Sequence, residues 1–375
     1  MYMQSPFARC AFLLFLVSAT VAQPKSFDIA NFGGKPDGDI TEAITNAWKE
    51  ACASVTPSKI TIPKGNFKLG VVDLKGPCKA PIEIQVDGTI LAPPDIALMK
   101  GAYQWVKFQY LNGFTLSGTG TFDGQGPIAW KQNDCAQNKN CKMPTMNFGF
   151  NFLNNSIVLG VTSKDSKNFH VNVLGCNNFT FDGFKIIAPP ESPNTDGIHI
   201  GRSTEVHIKN AKIGTGDDCV SLGDGSKNVS VENTECGPGH GISVGSLGRY
   251  DKEDPVEGFT VKNCTLTNTD NGVRIKTWPG TPGAITVTDM HFEDIVMNNV
   301  SNPTPSKIKI SKVTFKNIRG TSATPEGVVL ICSSGVPCEG VELSDIKLTF
   351  NGAEAKAKCA NVKPLIQGAA PACAA

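Results

Sequence analysis

Apolar and polar residues alternate along most of this chain in short runs. Lys59-Ile60-Thr61-Ile62 and Ile82-Glu83-Ile84-Gln85-Val86 place apolar side chains on one face of an extended segment and polar ones on the other, and Gly or Pro breaks the runs. One stretch departs from that period. Between Thr41 and Cys52 the apolar residues Ala43, Ile44, Ala47, Trp48 and Ala51 recur at spacings of three and four, which predicts an amphipathic helix ahead of the strands, placed to cap one end of them.

From mid-chain onward a self-similar unit appears at Phe179–Phe184, Val206–Ala211, Val229–Thr234, Phe259–Cys264, Ile285–Met290, Ile308–Val313 and Val341–Ile346, with starts 23 to 33 residues apart. Each unit alternates apolar and polar residues, sets a polar residue, most often Asn or Asp, at a turn, and resumes with a second strand. Such a unit cannot bury its apolar face alone, so neighbours must stack. The units are too short for propeller blades of about 40 residues with hairpin turns. They predict an all-β chain folded as a right-handed parallel β-helix, one domain over residues 23–375, with equivalent positions roughly 4.8 Å apart on successive coils.

Stacking gives the second strands their interest. Asp196-Gly197-Ile198-His199-Ile200, Asp218-Cys219-Val220-Ser221-Leu222, His240-Gly241-Ile242-Ser243-Val244 and Gly272-Val273-Arg274-Ile275-Lys276 fall on consecutive coils. Asp196, Asp217, Asp218, His240, Arg274 and Lys276 are thereby expected on one stretch of one face. Hydrolysis of a glycosidic bond needs a proton donor and a carboxylate that activates water or attacks, and three close aspartates supply both. Crowded carboxylates raise the proton affinity of at least one member. His240 is placed to tune that protonation. Arg274 and Lys276 leave the strand from the same side and suit an anionic group, which favours a uronic acid over a neutral sugar. A lone Asp-Gly or Asp-Asp in a glycine-rich loop is usually only a turn; recurrence over four adjacent coils is what lifts these above that reading.

Composition narrows the setting. Arg9 followed by the apolar run Ala11–Val17 and the small residues up to Ala22 has the layout of a signal peptide, so residues 1–22 are expected to be removed and the product secreted to the extracellular space or cell wall. No later stretch reaches the roughly 20 apolar residues of a membrane helix. Of thirteen cysteines, twelve lie beyond that leader. Cys219 with Cys236, Cys332 with Cys338, and Cys359 with Cys373 would close short loops, Cys52 with Cys78 and Cys135 with Cys141 are further candidates, and Cys176 and Cys264 lie in apolar strand patterns suited to buried thiols. Sequons at Asn154, Asn178, Asn228 and Asn299 are candidate glycosylation sites, whereas Asn263, next to Cys264, is expected to be inaccessible. A net charge of +1 over 375 residues argues against nucleic acid as partner. Gly214-Thr215-Gly216 and Gly237-Pro238-Gly239 lack the ending and the helix of a phosphate loop, and no cofactor or metal is expected. A monomer acting on a polysaccharide is the expectation.

The motifs Asn194-Thr195-Asp196, Gly216-Asp217-Asp218, Gly239-His240-Gly241 and Arg274-Ile275-Lys276 resemble, in type and order, those of the polygalacturonases of glycoside hydrolase family 28. The likeness runs from Phe32–Gly38 through Gly118–Gly126 to the cysteine-rich end, and within the family it is most similar to the pollen exopolygalacturonases of plants, among which allergens occur. This resemblance implies hydrolysis of α-1,4-galacturonosyl bonds from chain ends with inversion. It also implies Asp217 as general acid, Asp196 and Asp218 activating water, His240 supporting the acid, and Arg274 and Lys276 holding the substrate carboxylate.

One departure stands out. The coil begun at Ile285 should present a second strand after Val300, yet Ser301–Ser306 leads straight to the next unit at Ile308. Family members carry a strand there, followed by a tyrosine that contacts substrate, so roughly twenty residues are missing, compatible with one strand and its loop. The shortened coil near Asn302 to Pro305 keeps in view a weakly active or noncatalytic pectin-binding homologue; a separate alternative is a calcium-dependent pectate lyase, also a β-helix, with the aspartates as metal ligands and an arginine as base.

Overall fold

The computed structural model describes residues 23–135, 137–138, 140–278, 285–301, 309–332 and 335–373. The expected leader over residues 1–22 and the segment from Asn302 to Pro305 lie outside them.

The expected helix forms as α1, Thr41–Ala53, and buries Ala43, Ile44, Ala47, Trp48 and Ala51. Trp48 packs against Phe108 and Phe114, donates from Nε1 to the Lys75 carbonyl at 3.3 Å, and closes the first coil. A disulfide from Cys52 to Cys78 ties the helix end to the coil it covers.

Beyond α1 the chain winds as a right-handed parallel β-helix. One sheet of eight strands carries the chemistry: β1 (Val72–Lys75), β2 (Gln104–Gln109), β3 (Met146–Asn151), β4 (Val171–Leu174), β5 (Ile198–Gly201), β6 (Val220–Leu222), β7 (Ile242–Leu247) and β8 (Val273–Thr277), hydrogen-bonded in that order. The remaining coil strands form the opposite wall, where Phe179 pairs with Val206 and Val229 with Phe259. Between the walls Phe148, Phe150, Phe179 and Phe181 are wholly buried and in ring contact. Burial of each such side chain stabilises the fold by roughly 1.5–3 kcal/mol.

The polar residue expected at each turn has a structural duty. Asn210, Asn233 and Asn263 take positive φ near +53°, a conformation Asn tolerates, and their side chains bond along the stack: Asn263 Nδ2 donates to Asn233 Oδ1 at 2.7 Å, and Asn233 Nδ2 to Asn210 Oδ1 at 3.4 Å. Asn263 is as exposed as the sequons at Asn154, Asn178, Asn228 and Asn299, which corrects its expected inaccessibility: the turn residue points outward while Cys264 behind it points in.

Two repeat frames also need correction. Phe259 pairs with Met290, not Ile285, and Met290 with Val313, so the true units are Met290–Ile295 and Val313–Ile318. The apolar-polar-apolar pattern ending in Asp and an apolar residue occurs twice in tandem in this wall, at Ile285–Met290 and Met290–Ile295. Both fit the alternation, and pairing to the neighbouring strand selects the second. Ile308 itself lies outside the described residues.

All five expected disulfides form, and Cys176 and Cys264 are free and buried.

The coil after β8 has no strand on the β1–β8 wall among the described residues. The next strand there, β9 (Glu326–Ile331), pairs among the described residues only with β10 (Lys356–Ala360). In β5, β6 and β7 the inward residues Ile198, Ile200, Val220, Leu222, Ile242 and Val244 are fully buried, whereas every residue of β8 and β9 is only half-buried. An apolar cavity lined by Val273, Met297, Val300, Phe315, Val328 and Leu330 opens between the two strands.

Candidate active site

Register brings the expected residues together. Ile198, Val220, Ile242 and Val273 are successive partners across β5 to β8, so Asp196, Asp218 and His240, each two residues earlier than its rung's partner, stack at the mouths of β5, β6 and β7. Backbone bonds fix this: Gly197 N–H donates to the Asp218 carbonyl at 2.8 Å, and His240 N–H to the Asp217 carbonyl at 2.7 Å.

The three acids sit in different surroundings. Asp218 is fully buried and surrounded by donors: Oδ1 accepts from Ser243 Oγ and Arg274 Nη2, each at 2.8 Å, and Oδ2 accepts from Lys276 Nζ. Asp196, 6% exposed, accepts from Ser221 Oγ at 3.2 Å, which lies 2.8 Å from His199 Nδ1. Burial, then the negative charges of Asp217 and Asp218, push its carboxyl well above the usual range, so it binds a proton readily.

Asp217 is the most accessible of the three. Burial works to raise it, but the hydrogen bond and charge of His240 prevail and hold it low. Its Oδ1 accepts from the Asp218 N–H and meets His240 Nδ1, both at 2.8 Å, which leaves Oδ2 without a hydrogen-bond partner among the described residues. His240 is raised above the ordinary imidazole value, chiefly by that bond and against its own burial. Its Nε2 lies 3.2 Å from Asp270 Oδ2.

Arg274 and Lys276, expected to grip substrate, are both engaged with Asp218. They balance a buried carboxylate that would otherwise be untenable, since an unpaired charge at that depth is far more costly than a paired one. The same pairing bears on calcium. Asp217, Asp218 and His240 lie close enough to share an ion, but Ca²⁺ needs six to eight oxygen ligands and here one acid is already neutralised by two cations, so the donor set does not fit.

Ser221, Ser243, His199 and Asp270 were not singled out from sequence. The first three had a signal: His199, Ser221, Ser243 and Arg274 occupy the same position of four aligned strands and form one outward row. Asp270 had none, because Thr269-Asp270-Asn271-Gly272 reads as an ordinary turn.

Comparison with known proteins agrees with this architecture. The glycosyl hydrolases family 28 profile matches residues 52–373. A polygalacturonase of Medicago sativa is 61% identical over 383 aligned positions, covering 96% of this chain and 91% of its own, and an exopolygalacturonase of Oenothera organensis is 53% identical over 350, covering 88% and 96%. The first alignment is longer than the 375-residue chain, so that relative carries residues with no counterpart here. Among solved structures, an endo-xylogalacturonan hydrolase of Aspergillus tubingensis superposes with a TM-score of 0.77 at 25% identity over 90% of this chain and 98% of its own. An exopolygalacturonase of Thermotoga maritima shares the fold at TM-score 0.75 and 18% identity, covering 93% and 94%. On profile, relatives and fold together, this chain belongs to the family 28 glycosyl hydrolases.

Proposed function

We propose that this protein is a secreted, monomeric polygalacturonase that cleaves α-1,4-galacturonosyl bonds of pectin from chain ends, with inversion, in the plant cell wall and specifically in pollen. The observation that carries the reading is the stack of three aspartates in which Asp217, the most exposed, keeps Oδ2 free of hydrogen bonds among the described residues while Asp218 has both oxygens engaged. The free Oδ2 is positioned for a leaving group, while Asp196 and Asp218 face the opposite side of the sugar, where water attacks.

The proton for the leaving oxygen belongs to the Asp217–His240 pair. In the free protein it rests on His240; a bound sugar that expels water favours the neutral forms of both partners, so His240 releases its proton to solvent and Asp217 takes one up from solvent on the free Oδ2, while Oδ1 keeps its bonds to His240 and the Asp218 N–H. Asp217 then protonates the departing glycosidic oxygen as the C–O bond breaks. Water forms the new bond to the anomeric carbon and yields its proton to the Asp196–Asp218 pair. Arg274 and Lys276 bind Asp218 and lie beside the space a uronate carboxyl would occupy. Five disulfides and exposed sequons support an oxidising, extracellular setting.

The test is incubation of purified protein with polygalacturonate, following product size and anomeric configuration by NMR beside an Asp217→Asn control. Monogalacturonate released with inverted configuration, and absent from the control, is the expected result. An unsaturated, ultraviolet-absorbing product suppressed by chelator would instead establish a lyase. The open wall between β8 and β9 favours a second reading, pectin binding without turnover, which binding with no new reducing ends would establish.

A further inference from the structure

Arg274 and Lys276 are already committed to Asp218, so recognition of a uronate by this site calls for a further cation. Arg249 offers one. It lies in the exposed loop after β7 and makes no ion pair among the described residues. Its guanidinium is 5.1 Å from the centroid of Trp278 and 5.6 Å from that of Tyr250.

Trp278 follows β8 directly, and its N–H donates to the Leu247 carbonyl at 2.8 Å, extending the β7–β8 ladder by one residue. Arg274, Lys276 and Trp278 therefore leave the wall from the same side at intervals of about 7 Å. Trp278 stays 44% exposed with Arg249 against it. The loop that holds Arg249 is pinned from within, since Glu253 accepts from Gly248 N–H at 2.7 Å and from Tyr250 N–H at 3.0 Å. An aromatic residue 44% exposed beside a preorganised guanidinium with no ion pair among the described residues matches the two aspects of a uronic acid unit: C–H bonds on the ring face and a carboxylate at its edge.

The geometry points to Trp278 and Arg249 as a uronate-binding platform flanking the cleavage site, the indole stacking on a galacturonate ring and Arg249 pairing with its carboxylate. This rests on the polygalacturonase reading. It makes Arg249, rather than Arg274 or Lys276 alone, the residue that senses whether the carboxyl is free or esterified.

Binding of trigalacturonate and of its methyl ester is to be measured by titration calorimetry in the Asp217→Asn protein, alone and combined with Arg249→Ala, Arg249→Lys or Trp278→Phe. Thermal unfolding of each variant reports its fold. The expected result is that Arg249→Ala weakens the acid about tenfold and leaves the ester within about twofold, Arg249→Lys falls between, and Trp278→Phe weakens both ligands. Variants that bind both ligands as tightly as their parent would overturn the platform, and wild-type hydrolysis of polygalacturonate measured in parallel would then leave the enzymatic reading standing. A parent that binds neither ligand, with a wild type that cleaves nothing, would overturn both.

Discussion

Arg274 donates from Nη2 to Asp218 Oδ1 at 2.8 Å, joining β8 to the mouth of β6 across 56 residues of sequence. The two lie on rungs separated by β7, whose Ser243 donates to the same oxygen, so one carboxylate binds three coils together. Removing one partner of a buried pair commonly costs about 3–5 kcal/mol, and Lys276 remains to soften the loss here. Arg274→Ala is therefore expected to lose roughly 2–3 kcal/mol of stability and at least about a hundredfold in kcat/KM. Denaturant unfolding and initial rates check this; a variant with unchanged stability would mean that the pair does not bear on the fold.

Asp196 invites the opposite outcome. Its carboxyl binds protons more tightly folded than unfolded, so the folded state loses stability as pH rises from about 3.8 through the raised value. Asp196→Asn removes the charge and keeps an oxygen for Ser221. The variant should be more thermostable than wild type at pH 7, with the advantage fading toward pH 4, and it should turn over poorly. Melting curves across that range decide it, and a variant less stable at pH 7 would contradict the assigned shift.

The charge state of His240 sets the alkaline side of the pH–rate profile. Because its proton affinity is raised, activity should persist above pH 6.5 before the Asp217–His240 pair loses its proton. Asp270→Asn removes a negative charge 3.2 Å from Nε2 and should move that limb to lower pH with little change in melting temperature. An unmoved limb would show that Asp270 is a bystander.

The open wall between β8 and β9 gives a test of construction. Inserting one alternating strand with its loop between Pro303 and Pro305 would cover Val273 and Ile275 from β8 and Val328 and Leu330 from β9. At about 25 cal/mol per Å² of apolar surface removed from water, a gain of a few kcal/mol and several degrees in Tm is expected. Turnover of polygalacturonate should rise with it; increased stability with no gain in turnover would separate the missing strand from catalysis.

Much of this molecule follows from local alternation. The capping helix, the coil architecture and the stacking of Asp196, Asp217, Asp218 and His240 derive from periods that the segments carry, because a strand with one apolar face has few ways to bury it; cysteine spacing offered five candidate pairs, whose connectivity the fold decided. Local alternation cannot choose between tandem frames, and only pairing with Phe259 and Val313 set Met290 in register. It is equally silent on partners. That Arg274 and Lys276 turn toward Asp218, that Asp270 reaches His240, and that Arg249 is left with aromatic rings rather than a carboxylate depend on distances between side chains from different coils, which exist only after the coils have stacked. Sequence thus determined which residues share a face; the tertiary structure decided which charges neutralise each other there and which remain available to a substrate.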